Sequence, residues 1–354
     1  MNRSRGKVLA AVMVLLAALA GAGAGWLDHA YETALLPVSP GAADPVVVAI
    51  PQGASTAEIA EILHDHGLIR HPLAFRIRAR QQGLDGRLQA GVYRLHAGMS
   101  TPEILEKLAR GDILTARFTI PEGFTVAQIV DRLADMGLVD REELRAALAE
   151  AAKEWPYLPR DVSLREPLEG YLFPDTYRVP VGADGRVVDP RIIVRAMLDR
   201  FEDVFDRRRQ ERARQLGLSV HEVVTLASII EREAKVPEER PLIAAVYHNR
   251  LRRGMKLDAD PTTLYAVGRT SGPLTRRDLR VDSPYNTYRY PGLPPGPIGA
   301  PGVGAIDAAL YPADADYLYF VLRPDGSGRH QFARTLEEHN RNVRAWRAAS
   351  GSLR

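Results

Sequence analysis

One helix in this chain carries a carboxylate on its apolar face. Ser219-Val220-His221-Glu222 reads as a capping box, and Val223 to Ala234 (VVTLASIIEREA) continues as a helix. At 3.6 residues per turn, Leu226 falls about +20° from Glu233, Ile229 about −40° and Ile230 about +60°. Glu231 at about 160° and Arg232 at about −100° point toward the polar side. A carboxyl kept in apolar surroundings is costly to ionise, so its pKa rises. That is the property of a general acid working near neutral pH.

The segments around this helix are dense in groups that recognise hydroxyls and amides. A second helix is expected from Pro237 to about Arg252, with Pro241 in its first turn. Then come Asp258-Ala259-Asp260-Pro261-Thr262-Thr263, Ser283-Pro284-Tyr285-Asn286-Thr287-Tyr288 and Gly292-Leu293-Pro294-Pro295-Gly296-Pro297-Ile298. Upstream stands Leu168-Glu169-Gly170-Tyr171-Leu172-Phe173-Pro174-Asp175-Thr176-Tyr177. Tyr, Asn, Thr and Asp side chains bond sugar hydroxyls and acetamido groups, with tyrosine rings adding apolar contact. Pro and Gly fix the shapes of such loops.

Three related segments precede this region. Ile50-Pro51-Gln52-Gly53-Ala54-Ser55-Thr56-Ala57-Glu58-Ile59 runs on to Leu63. Leu95-His96-Ala97-Gly98-Met99-Ser100-Thr101-Pro102-Glu103-Ile104 runs on to Leu108, and Ile120-Pro121-Glu122-Gly123-Phe124-Thr125-Val126-Ala127-Gln128-Ile129 to Leu133. The first and third share Gly67-Leu68 and Gly137-Leu138. Each copy reads as a strand, a Gly turn open to positive φ, and a helix opened by a capping box. The boxes are Ser55/Glu58, Ser100/Glu103 and Thr125/Gln128, and the strand Ala90 to Leu95 lies between the first two copies. Such units resemble the LysM-type carbohydrate-binding module, a βααβ unit that binds N-acetylglucosamine polymers. Packing units without a ligand are the alternative, since no exposed aromatic cluster offers itself for stacking on sugars.

The N-terminus has its own character. Arg3, Arg5 and Lys7 precede an uncharged run of 20 residues, Val8 to Leu27, and Asp28 follows. As a helix this run spans about 30 Å, the thickness of a bilayer core. The flanking charges place residues 1–7 in the cytoplasm and everything after the run outside. A cleaved signal peptide is the competing reading, with the small residues Ala20 to Ala24 as a cleavage site. Residues 28–45, rich in Pro, Gly and Ala, read as a linker, 46–160 as the LysM-like region, and 161–348 as a catalytic domain. The last has helix signals, Gly/Pro-dense loops, a strand (Asp316 to Leu322) and a terminal helix (Thr335 to Ala348), so the fold class is α+β.

The 354 residues carry 47 Lys and Arg against 44 Asp and Glu, 26% charged and 45% hydrophobic. That composition excludes wholesale disorder. A net charge of +3 gives no reason to expect nucleic-acid binding. With no cysteine, disulfides, thiolate metal sites and a lipid-linked cysteine are all excluded. Nine histidines are scattered, His64 and His66 would face opposite sides of a helix, and no H-E-x-x-H occurs. No metal and no cofactor is expected.

Taken in order, LEGYLFPDTY, ASIIEREA, VYHNRL, DADPTTLY, SPYNTY and GLPPGPI resemble the endolytic murein transglycosylase family, and the likeness runs from the anchor to Phe332–Asn340 (FARTLEEHN). The resemblance implies a single-pass inner-membrane enzyme, with the bulk of the chain outside, that cleaves peptidoglycan glycan strands internally. It implies peptidoglycan synthases as partners and the ending of nascent strands as the role. The family's catalytic residue is the second Glu of E-x-E, here Glu233, the residue the helical face also selects. By this reading Glu233 protonates the MurNAc–GlcNAc bond, then acts as base while the MurNAc 6-hydroxyl attacks C1. That leaves 1,6-anhydro-MurNAc without the paired carboxylates of ordinary glycosidases. Asn249, Asp260, Tyr285, Asn286 and Thr287 are candidate glycan contacts, and Glu169, Tyr171 and Asp175 shape the cleft. Glu239 and Arg240 read as an ion pair positioning the catalytic helix. Two tracts depart from the family pattern: Gly299 to Gly302 (GAPG) lacks a polar residue, and Asp258-Ala259 replaces Gln and a small residue. Two other readings stay open: a hydrolase pairing Glu233 with Glu169, Asp175 or Asp260, and a non-catalytic glycan-binding scaffold.

Overall fold

The computed structural model describes residues 13, 14, 21, 23, 25–160 and 164–351. The apolar run 8–27 lies for the most part outside the described residues. Among those described, no helix is long and apolar enough to cross a membrane. The chain divides into two compact units, residues 1–116 with 179–188, and residues 117–178 with 189–354. The third strand–turn–helix copy therefore falls in the unit that holds Glu233, not with the first two.

In the first unit, β1 (Val46–Ile50) is followed by α1 (Thr56–Asp65), α2 (Pro72–Gln81), β2 (Gly91–Leu95) and α3 (Thr101–Arg110). β1 and β2 pair antiparallel, from Val46 opposite Leu95 to Ile50 opposite Gly91. This β–α–α–β order is the one a LysM-type module has. Strand alternation sends Val48 and Ile50 inward, where they meet Ile59, Leu63, Phe75, Tyr93, Ile104 and Leu108. The segment read as a linker begins as helix: residues 25–35 are helical, and Ala34 and Leu35 pack against Ala74.

The second unit begins within β3 (Thr115–Thr119), which pairs with β4 (Thr176–Pro180). It contains α4 (Val126–Asp135), α5 (Arg141–Glu154), α6 (Pro190–Val204), α7 (Arg207–Gln215), α8 (Val220–Glu233), α9 (Arg240–Arg252), α10 (Asp260–Ala266) and α11 (Val303–Leu310). The antiparallel pair β5 (Tyr319–Leu322) and β6 (His330–Ala333) and the terminal α12 (Leu336–Gly351) complete it. The whole is mixed α+β, as expected.

All three predicted capping boxes close, at Ser55, Ser100 and Thr125. α1 and α4 also share one C-terminal design. Leu68 N bonds to Leu63 O and Leu138 N to Leu133 O, over Gly67 and Gly137 with φ of 66° and 70°. The expected positive-φ turn holds at Gly53 and Gly123 but not at Gly98. There a Cβ would lie 2.2 Å from Ala42 O, so close approach rather than φ demands glycine.

α8 is the centre of its unit, packed by α7, α9, α10 and α11. The expected amphipathic helix proves buried on every side from Val223 to Ile230. Its polar side chains bond locally instead: Thr225 Oγ1 donates to His221 O, and Ser228 Oγ accepts from Ile298 N at 3.0 Å. Replacing Leu226 or Ile229 with Ala in such a setting costs about 2–5 kcal/mol.

Candidate active site

The three charged residues at the end of α8 part in three directions. Glu233 is half-buried, and Tyr247 of α9 donates its hydroxyl to Glu233 Oε1 at 3.2 Å. Burial first, and the nearby Asp260 charge second, push the Glu233 carboxyl up to about 7, against the Tyr247 hydrogen bond and the Arg232 charge. Its place in the last turn acts in the same direction, because the helix dipole is negative there. The raised carboxyl expected from the helical face is therefore present.

Arg232 donates to Gly123 O at 3.3 Å and to Thr270 O. Its charge acts on both Glu233 and Glu169. Glu231 is not solvated, as the helical wheel suggested, but only 8% exposed in its side chain. It accepts from Arg240 Nη2 at 3.0 Å and from Gly302 N, at the start of α11, at 3.1 Å. The expected Glu239–Arg240 pair does not form. Arg240 pairs with Glu231 and, at 3.5 Å, with Glu122. Glu239 is buried and accepts from His330 N and, at 2.8 Å, pairs with His330 Nδ1.

This arrangement explains the tract Gly299 to Gly302. Gly123 N donates to Ala300 O at 2.7 Å and Ala300 N to Phe124 O at 2.8 Å. A Cβ on Gly302 would lie 1.8 Å from Glu122 Oε1. The glycine lets the third-copy turn, the start of α11 and the Arg240 guanidinium meet. Glu122 is held above the usual carboxylate range by burial first and by Glu231 second.

The other candidates divide sharply. Asp260 is exposed, beside Glu233, and accepts from Tyr288 OH at 2.5 Å. Asn249, Tyr285, Asn286 and Thr287 are buried. Asn249 Nδ2 donates to Ala315 O and Tyr317 O, each at 2.8 Å. Asn286 Nδ2 donates to Leu279 O and Val281 O, and its Oδ1 accepts from Tyr288 N. Thr287 Oγ1 accepts from Ala259 N and meets Thr262 Oγ1, while Tyr285 packs on Tyr265. These four hold loops in shape; their polar atoms are spent on protein, not aimed at a ligand.

Glu169, Tyr171 and Asp175 likewise do not converge on Glu233. Tyr171 is fully buried among Trp155, Tyr157 and Phe201, with its hydroxyl on His221 Nδ1 at 2.9 Å. Asp175 pairs with Arg200 at 2.7 Å, and its neighbours hold its carboxyl below the usual range. Glu169 accepts from Val126 N at 2.9 Å and from Tyr265 OH at 3.0 Å. Burial pushes it up to about 8. It is a buried strut at the start of α4.

Sequence reasoning missed Tyr247, Tyr288 and the Glu122–Arg240–Glu231 chain. Tyr247 lies two turns into α9 on the face with Ile243, a signal readable from helical spacing. The other contacts join segments far apart in sequence and leave no local trace. Among the described residues no group of three His, Asp or Glu could hold a metal ion.

The mixed α+β scaffold presents one half-buried carboxyl, raised to about 7, near two tyrosines, an arrangement able to give and take a proton. The profile of the YceG-like family matches residues 48–345, and the chain belongs to that family. It is 36% identical to the endolytic murein transglycosylase of Bacillus subtilis, over 88% of both chains. It is 31% identical to the endolytic murein transglycosylase of Streptococcus pneumoniae over 94% of its own length, but spans only 63% of that protein. A yceG-like protein from Listeria monocytogenes, solved by crystallography, is similar over 84% of this chain and 99% of its own, with TM-score 0.57 and 36% identity.

Proposed function

We propose that the chain is an endolytic murein transglycosylase with Glu233 as its acid and base. The observation that carries this reading is the Glu233 carboxyl, pushed up to about 7 by burial and by the Asp260 charge and held by the Tyr247 hydroxyl. In the first step Glu233 gives its proton to the glycosidic oxygen between MurNAc and GlcNAc, and that bond breaks. In the second, ionised Glu233 takes the proton of the MurNAc 6-hydroxyl as its oxygen bonds to C1. The product is a 1,6-anhydro end, and no water is consumed. Asp260, held by Tyr288 near Glu233, would supply negative charge against the positive charge that develops at C1.

The two-carboxylate hydrolase has one remaining partner for Glu233. Glu169 and Asp175 are committed to Val126, Tyr265 and Arg200, and only Asp260 is exposed beside Glu233. Digestion of purified glycan strands with mass analysis of the ends decides between them. Anhydro ends support the transglycosylase; reducing ends that accept borohydride overturn it. In Glu233→Gln cleavage should fall by about a thousandfold while glycan binding persists, and unchanged cleavage would sink the assignment of Glu233.

The anchoring of the chain belongs to the same proposal. The uncharged run Val8–Leu27 with cations before it supports a single span with the N-terminus in the cytoplasm. Residues 46–116 are then a LysM-like region next to the membrane, and the unit that holds Glu233 is the catalytic domain. An enzyme so tethered reaches glycan where new strands emerge, which favours peptidoglycan synthases as neighbours and strand termination as the task. Co-purification with a synthase in mild detergent tests this; recovery of none counts against it.

A further inference from the structure

The first unit is nearly balanced in charge as a whole, but one stretch of it is strongly basic. Between Gly67 and Pro102 stand six arginines, Arg70, Arg76, Arg78, Arg80, Arg87 and Arg94, and one acid, Asp85. Arg70 works on the chain itself. Its guanidinium donates to Pro37 O at 2.6 and 3.0 Å and to Leu36 O at 3.3 Å, fixing the end of the N-terminal helix. That helix, residues 25–35, lies along α2. Ala34 and Leu35 pack on Ala74 near the start of α2, and one turn earlier Tyr31 OH donates to Gln81 Oε1, at its end, at 2.9 Å. The two helices thus run antiparallel, and from Tyr31 back toward residue 27 the chain passes the C-terminal end of α2.

Four helical residues rise about 6 Å. The end of the apolar run 8–27 is therefore held about that far, along the helix, from the last turn of α2. That turn carries Arg78 and Arg80, and the turn after it carries exposed Arg87. The Arg80 side chain is 81% exposed. Arg78 is half-buried, with a shielded Nε that has no hydrogen-bond partner. Asp85, which accepts from Thr56 Oγ1 at 2.6 Å, pairs with exposed Arg80 at 3.8 Å, and this stretch offers no second acid for Arg78 and Arg87. Favourable contact with the helix dipole accounts for cations in a last turn, but not for Arg87 beyond it.

We propose that the C-terminal end of α2 and the turn 82–87 rest on anionic lipid headgroups, with Arg78, Arg80 and Arg87 as the contacts. This inference rests on reading residues 8–27 as a membrane span. Each arginine close to an anionic surface shifts the docking equilibrium by about fivefold. Three together turn a tethered unit that swings freely into one held upright on the membrane.

The chain has no cysteine, so Gln82→Cys gives a unique site for a fluorophore. The labelled full chain is reconstituted into vesicles of phosphatidylcholine alone or with phosphatidylglycerol, and quenching by acrylamide is measured. Protection is expected only with phosphatidylglycerol, and it should fade as salt rises. Replacing Arg78, Arg80 and Arg87 with Gln should lower the docked-to-free ratio by about a hundredfold. Equal quenching in both vesicles, or protection that survives the triple replacement, overturns the proposal. So does protection that requires added glycan strands rather than anionic lipid. Alkaline carbonate extraction reads the anchor separately. A chain released by carbonate brings down both readings, and a retained chain with an unprotected label brings down the docking alone.

Discussion

The turns Pro51-Gln52-Gly53 and Pro121-Glu122-Gly123 are built alike and used differently. Each ends with a glycine at φ near 80° and leads into a capping box and the same C-terminal glycine–leucine close. Around Gly53 nothing lies within 4 Å of where a Cβ would be. Gly123 instead bonds to Ala300 and accepts from Arg232, and Glu122 beside it reaches Arg240. In the first turn the position of Glu122 is held by exposed Gln52. Local capping therefore makes the repeat, while the Gly123 backbone and the Glu122 carboxylate join the third copy to α8, α9 and the tract before α11.

The largest effect should come from the site this joining supports: Glu233→Gln should lower glycan cleavage by about a thousandfold, within the range of general acid–base catalysis, as read by anhydro-end formation. Next, Arg240→Gln strips the buried Glu231 of its cation and should cost about 3 kcal/mol in denaturant unfolding. If that variant were as stable as the parent, the contrast between the turns would lose its energetic basis. Glu169→Gln probes the strut under the third copy. The folded carboxyl titrates at about 8, far above its unfolded value, so its stabilising contribution is complete below about pH 4.5 and is lost as pH rises toward 8. The variant escapes that loss, and should gain about 2 kcal/mol on the parent between pH 5 and pH 8 in paired melts.

Smaller shifts should appear in the pH–rate profile. Protonated Glu233 is the acid, so cleavage declines as pH rises through about 7. Tyr247→Phe removes a donor that favours the ionised form and should move this limb up by about half a unit to a unit. Asp260→Asn removes a repelling charge and should move it down. Shifts of the same sign in both variants would discredit this account of the carboxyl. The smallest effect is expected at Gln52→Ala, within about 0.5 kcal/mol of the parent.

What could be read before the structure was local. The capping boxes, the helix with Glu233 on its apolar side and the mixed α+β character all follow from residues a few positions apart. The tyrosines and asparagines of the loops misled for a physical reason. A side chain able to bond a sugar hydroxyl is equally able to bond a backbone carbonyl, as Asn249 and Asn286 do. Glu231 escaped for the same reason that α8 was read as amphipathic: a central helix needs no wet face, and a buried carboxylate requires only an arginine from elsewhere. The apolar run 8–27 lies mainly among residues the structure does not describe.

The bond from Gly123 N to Ala300 O also imposes an order in time. At ribosomal speeds Ala300 is made roughly ten to thirty seconds after Gly123. Until then the third-copy turn lacks that backbone partner, whereas Glu122 and Glu231 can gain their shared cation earlier, once Arg240 is made. The first unit meets a milder version of the same delay, because residues 179–188 belong to it and emerge only after much of the second has begun. The nascent chain therefore holds two unfinished cores at once while residues 117–188 are made, and synthesis slowed or cut short in that stretch would leave both exposed.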